Sequence, residues 1–186
     1  MLVVFEKEAH MNNIIEYLGY LIAGRHHTAS VKTDEEGVAT ITDLPIADEN
    51  GYTVEEVNTP LFYIPLPKQV ATILDNKTTT ITFENKLKRG NLQITKESED
   101  NLIENISFRI FGKALNGTEI DQVITTNETG KAVAENILIS NEDGYQVEEL
   151  NIPNFDVTQE IQNASVSEKE TIKFDSRHFK RFKGGI

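Results

Sequence analysis

Residues 51–60 read GYTVEEVNTP, and residues 144–153 read GYQVEELNIP. The stretch is the same phrase written twice, with two adjacent glutamates each time. Side chains alternate between faces along a strand. Tyr52, Val54 and Glu56 therefore share one face, while Thr53 and Glu55 lie on the other. The face that carries Tyr and Val is expected to be buried, and in both copies it ends in a carboxylate, Glu56 and Glu149. Glu55 and Glu148 are expected to face solvent.

The match extends well beyond the phrase. Residues 33–60, TDEEGVATITDLPIADENGYTVEEVNTP, align without a gap to 126–153, TNETGKAVAENILISNEDGYQVEELNIP, with nearly half the positions identical. Upstream, IEYLGYLIAG (15–24) matches IENISFRIFG (103–112), and MLVVFEK (1–7) matches GNLQITK (90–96). Downstream, TITFENK (80–86) matches TIKFDSR (171–177). The chain is thus an internal duplication, expected to form one domain over 1–88 and a second over 89–178. Residues 179–186 are read as a linker or the start of a further repeat, because Gly184-Gly185-Ile186 stands where Gly90-Asn91-Leu92 stood. The expectation is a segment of a longer array.

Each copy is dominated by period-two alternation in strand-forming residues, as in Leu92, Ile94, Lys96 and in Ile81, Phe83, Asn85. TDEEG, TNETG, ADENG and NEDG punctuate the strands as turns. Two tandem small all-β sandwiches are predicted. Residues 11–24, MNNIIEYLGYLIAG, have an apolar spacing compatible with a helix, but their match to the alternating 103–112 favours a strand.

Composition narrows the function classes. The formal net charge is −12 over 186 residues, with no cysteine. Such an acidic chain is a poor partner for nucleic acid. The absence of cysteine rules out disulfide stapling and thiol chemistry. No apolar run reaches the length of a membrane span, and MLVVFEKEAH lacks the pattern of a signal peptide.

In the first copy, three polar side chains fall on faces that the periodicity marks as buried: Lys7 after Val3 and Phe5, Glu56 after Tyr52 and Val54, and Asn85 after Ile81 and Phe83. Buried polar groups need partners, and three on three different strands are expected to meet. Burial lowers a lysine pKa and raises a glutamate pKa. A neutral Lys7 amine is a nucleophile. A protonated Glu56 can polarise the Asn85 carboxamide and carry protons. The chemistry open to this trio is attack of Lys7 on the Asn85 side-chain carbonyl with loss of ammonia.

These residues also carry a family resemblance. FEK (5–7), ITK (94–96), TDEEGVATITDLP, GYTVEEVNTP and TTTITFENKLKRGNLQITK occur in an order similar to the Cna B-type, SpaA-like domains of Gram-positive surface proteins and pilins. The resemblance implies a transthyretin-like or reversed immunoglobulin-like sandwich. It also implies a self-generated isopeptide bond between Lys7 and Asn85, promoted by Glu56. The second copy departs from the pattern: it keeps Lys96 and Glu149, but the acceptor position is Ser176, which has no carboxamide. No isopeptide is expected there unless a bulge turns Asp175 inward. Lys96 and Glu149 are then expected to form an ordinary buried ion pair.

The remaining features carry less. His26-His27 lacks further ligands at metal-binding spacing, and TDEEG and NEDG lack the spacing of a calcium loop, so no metal or cofactor is expected. The basic, aromatic tail RHFKRFK reads as a linker like NKLKRG, and LPKQV (66–70) is not a sortase signal. No catalytic triad, phosphate loop or metal set supports turnover. The expected role is a non-enzymatic structural stalk of a secreted, wall-attached adhesin or pilin, with further repeats of the same polypeptide as its partners. The alternative is a module binding a host protein or glycan.

Overall fold

A strand ladder needs alternating apolar residues on one face and a turn to reverse it, and among the described residues each copy forms seven strands. The protein is described by a computed structural model, which covers residues 2–6, 14–21, 26–150 and 161–178; within 2–6, 14–21, 26–27 and 174–178 only the backbone is described. The chain divides into two compact units, Met1–Leu87 and Lys88–Ile186.

The first unit contains β1 (Leu2–Glu6), β2 (Ile14–Leu21), β3 (His26–Lys32), β4 (Ala39–Thr42), β5 (Ala47–Val57), β6 (Gln69–Ala71) and β7 (Thr78–Thr82). The second contains β8 (Arg89–Ser98), β9 (Ser107–Lys113), β10 (Glu119–Thr125), β11 (Lys131–Leu138), β12 (Tyr145–Leu150), β13 (Gln162–Ala164) and β14 (Thr171–His178). Among the described residues, the first unit forms a three-stranded sheet, β4-β1-β7, and a four-stranded sheet, β3-β2-β5-β6. The second repeats this order as β11-β8-β14 and β10-β9-β12-β13. The segment of ambiguous periodicity is strand β2, antiparallel to β3 and β5.

In both units the first and last strands are neighbours and run parallel, β1 with β7 and β8 with β14. The other ladders are antiparallel. In the first unit a core of Tyr52, Val54, Ala71, Ile81 and Phe83 joins residues of the two sheets. In the second, Leu92, Ile94, Phe108, Ile110, Tyr145 and Val147 are buried.

The registers correct one sequence match. Ile15 stands opposite Glu56, and Phe108 stands opposite the equivalent Glu149. Ile15 therefore corresponds to Phe108, not to Ile103. The gapless match of 15–24 to 103–112 is five residues out of step, because the near-continuous apolar run IIEYLGYL marks neither face clearly, whereas the pairing is set by the neighbouring strand. The parallel ladders also differ by two residues: Phe5 faces Ile81, while its counterpart Ile94 faces Phe174. An even step leaves every side chain on its original face.

The duplicated phrase is now legible residue by residue. Gly51 and Gly144 have φ of +72° and +75°, and a Cβ added to either would lie 2.7 or 2.9 Å from the carbonyl of Ala71 or Ala164. Only glycine meets both demands without strain. Tyr52 and Tyr145 are fully buried, and their hydroxyls donate to the carbonyls of Pro45 and Leu138, each at 2.9 Å. Burial pushes the Tyr145 hydroxyl up to about 12, with Arg89 opposing the shift more weakly.

Removing that hydroxyl leaves the Leu138 carbonyl buried without its donor. Tyr145→Phe is therefore expected to cost about 1–3 kcal/mol in the second unit. Because the folded value is the raised one, this group's contribution is complete below the unfolded value of about 10. It is lost as pH rises towards about 12. Urea unfolding between these limits should show a smaller pH dependence in Tyr145→Phe.

Candidate functional site

Glu56 reaches the first site because β5 alternates correctly up to its end. Tyr52 and Val54 are buried, and Glu56, two residues further on, is half-buried. Asn85 follows Ile81 and Phe83 in the same way, with exposed Glu84 between. It lies three residues beyond the end of β7 at Thr82, where the described ladder to β1 ends. The expectation that Asn85 sits within the last strand is corrected to that extent, although the alternation continues past the strand.

The two side chains meet. Asn85 Nδ2 donates to Glu56 Oε1 at 3.1 Å. The amide thus presents its nitrogen, the donor, to the carboxylate and turns its oxygen away. Asn85 Oδ1 is buried and accepts no hydrogen bond among the described residues. Lys7 lies outside the described residues.

Tyr63 adds a group that the alternation did not reveal, because it lies on the turn after β5. It is buried, and burial followed by the negative charge of Glu56 holds its hydroxyl above the usual tyrosine range. Glu55, on the opposite face, pairs with exposed Lys68 at 2.9 Å. In the second unit, Glu148 likewise lies on the outer face, 3.3 Å from Arg109.

The equivalent site in the second unit is more deeply buried. Lys96 follows Leu92 and Ile94 on the inner face of β8, and Glu149 follows Tyr145 and Val147 on β12. Lys96 Nζ donates to Glu149 Oε2 at 3.1 Å, with side-chain exposures of 1% and 5%. Ser176 stands opposite Lys96 in the β8–β14 ladder, which runs from Thr171 to His178 without a bulge. Asp175 takes the next position of this unbroken ladder, opposite Thr95.

The sequence match makes Ser176 the counterpart of Asn85. The ladder equates Ile81 with Phe174, which makes His178 the residue in step with Asn85. Neither residue carries a carboxamide.

The acidic turns are held by their own side chains. Asp34 Oδ1 accepts from the amides of Glu36 and Val38 at 3.1 and 2.8 Å. Its counterpart Asn127 Oδ1 accepts from Thr129 and Lys131 at 3.0 and 3.1 Å. Among the described residues, no helix is long and apolar enough to cross a membrane.

Comparison with known proteins agrees with this architecture. Residues 13–87 match the family model of the SpaA prealbumin-like fold domain. The Bacillus anthracis TIE protein superposes over 96% of this chain with a TM-score of 0.71 and 24% identity, and the chain spans 34% of that protein's length. The minor pilin GBS52 of Streptococcus agalactiae aligns over 100% of this chain and 99% of its own, at 12% identity and a TM-score of 0.41. The shaft pilin SpaA of Lactobacillus rhamnosus GG aligns over 98% and 99%, at 14% identity and a TM-score of 0.38. No curated protein sequence matches significantly. Residues 13–87 thus have the prealbumin-like fold of the SpaA family model that they match, and the second unit repeats its strand order.

Proposed function

We propose that the chain is a load-bearing stalk segment of a Gram-positive cell-surface adhesin or pilin, cross-linked in its first unit by a Lys7–Asn85 isopeptide bond. The observation that carries the stalk reading is the parallel pairing of first and last strands in both units. Pulling on the two ends of such a unit draws its first and last strands past each other along their length. The hydrogen bonds of the ladder then resist together instead of opening one at a time. A covalent bond between the same two strands would take the load directly. No turnover is required of such a protein, and its partners would be further repeats of the same polypeptide.

The Asn85–Glu56 hydrogen bond supports the chemistry. Neutral Lys7 attacks Asn85 Cγ, the Nζ–Cγ bond forms, and the Cγ–Nδ2 bond breaks. The amine gives up a proton, and the departing nitrogen takes one and leaves as ammonia. Glu56 already touches that departing nitrogen, so it is placed to carry the proton. The second unit retains the lysine and the carboxylate, but lacks an amide to attack.

Intact-mass spectrometry tests this. The folded chain is expected to weigh one ammonia less than its sequence, with the loss abolished in Lys7→Ala and Asn85→Ala. An unmodified mass in folded protein would refute the cross-link, and a loss mapped to residues 88–186 would refute the assignment of the second unit. Specific binding of this two-unit chain on a host-protein or glycan array would favour the adhesive alternative.

A further inference from the structure

The strand β7 ends at Thr82, yet Asn85 is held against Glu56. Some other element must fix the chain beyond the strand. That element is the turn that follows β5. The amide of Tyr63 donates to the Pro60 carbonyl at 3.0 Å and closes the turn. The amide of Ile64 donates to the Lys86 carbonyl at 2.8 Å, and Tyr63 forms an isolated antiparallel bridge with Leu87. The turn therefore grips the residues immediately after Asn85, while its own chain leads back within a few residues to Glu56.

We infer that the Pro60–Ile64 turn is a clasp that positions the acceptor amide, with Tyr63 as its positioning residue. The inference rests on the cross-link proposed above. The buried Tyr63 ring packs its tilted face against Phe62, with 4.8 Å between centroids. Its hydroxyl senses the Glu56 charge. One residue thus links the backbone that holds Asn85 to the surroundings of the carboxylate that serves it.

The second copy provides an internal comparison. Counting on from the matched phrase, Tyr63 corresponds to Asp156, while Phe62 corresponds to Phe155. The copy without an acceptor amide also lacks the tyrosine, although it retains the lysine and the glutamate. A tyrosine needed only for the fold would be expected in both copies, because the strand order is the same in both. A tyrosine needed for positioning the amide has no task once the amide is gone.

Linking can be followed by translating the full chain in a cell-free system, quenching samples into denaturant at successive times, and measuring the ammonia loss by intact mass. Small misplacements of reacting groups cost large factors in rate, so Tyr63→Ala is expected to slow linking by about ten-fold or more. Tyr63→Phe, which keeps the ring, should stay within about two-fold of the wild-type rate. Ile64→Pro, which deletes the amide that bonds Lys86, should slow linking with Tyr63 intact. Ile73→Ala truncates a buried core residue outside the clasp and should link at the wild-type rate.

Wild-type linking with an unaffected Tyr63→Ala would overturn the clasp alone. So would equal slowing in Ile73→Ala, which would reduce the effect to stability, or failure of Tyr63→Phe to restore the rate. If Tyr63→Ala does not fold, Ile64→Pro decides, and normal linking there overturns the inference. Absence of any ammonia loss in the wild type would instead remove the cross-link itself.

Discussion

Lys7→Arg is expected to lower the unfolding free energy of the first unit by about 4–5 kcal/mol, because it keeps the charge but removes the nucleophile. The bond would close a loop of 78 residues, from 7 to 85, nearly the whole first unit. A cross-link that restricts so long a loop removes that much chain entropy from the unfolded state. The loss is comparable to the total stability of a small domain. Asn85→Ala should lose a similar amount, plus the hydrogen bond to Glu56. Denaturant unfolding of the full chain, with hydrogen exchange resolving the two units, measures both. A loss below about 1 kcal/mol in Lys7→Arg would mean that no covalent link is stabilising the first unit. The second unit should be unaffected in either variant.

The second large effect is expected in the other unit. Lys96→Met and Glu149→Ala should each destabilise it by about 3–5 kcal/mol, because each leaves a buried charge without its partner. The pair is almost wholly withdrawn from water, with an N–O distance of 3.1 Å. Replacing both, Lys96→Met with Glu149→Leu, should recover most of the loss or exceed the wild type. Two apolar side chains of similar size avoid the cost of burying charge. The same unfolding measurement resolves this, read on the amides of residues 88–150. If the single replacements cost less than about 1 kcal/mol, the pair is behaving as a solvated surface contact. The contrast with the first unit is informative. There the equivalent positions are proposed to end in a covalent bond, whereas here an ion pair is what remains.

Much of this was legible from alternation alone. The repeat, the all-β character and the inward faces of 52, 54 and 56 follow from a side-chain period of two, which burial enforces locally. The Glu55–Glu56 division follows from the same rule, with Glu55 on Lys68 and Glu56 on Asn85. Alternation could not align β2 with β9, because the near-continuous apolar run of β2 marks neither face clearly in the sequence and so does not exclude even an odd slip of five residues; only the partner strand breaks that degeneracy. Nor could it find the Tyr52 and Tyr145 hydroxyl bonds or the Tyr63 clasp, since these join residues across turns, where no period holds.

The sequence by itself determined what each strand buries, because the hydrophobic effect acts on one residue at a time. It also determined that the second copy lacks a carboxamide at either candidate acceptor position. Tertiary structure alone decided which buried polar groups meet, because that depends on the register between strands distant in the chain. Register made the first and last strands parallel neighbours in both units and set Ser176 across from Lys96, while the chain beyond β7 brought the Asn85 amide nitrogen to Glu56.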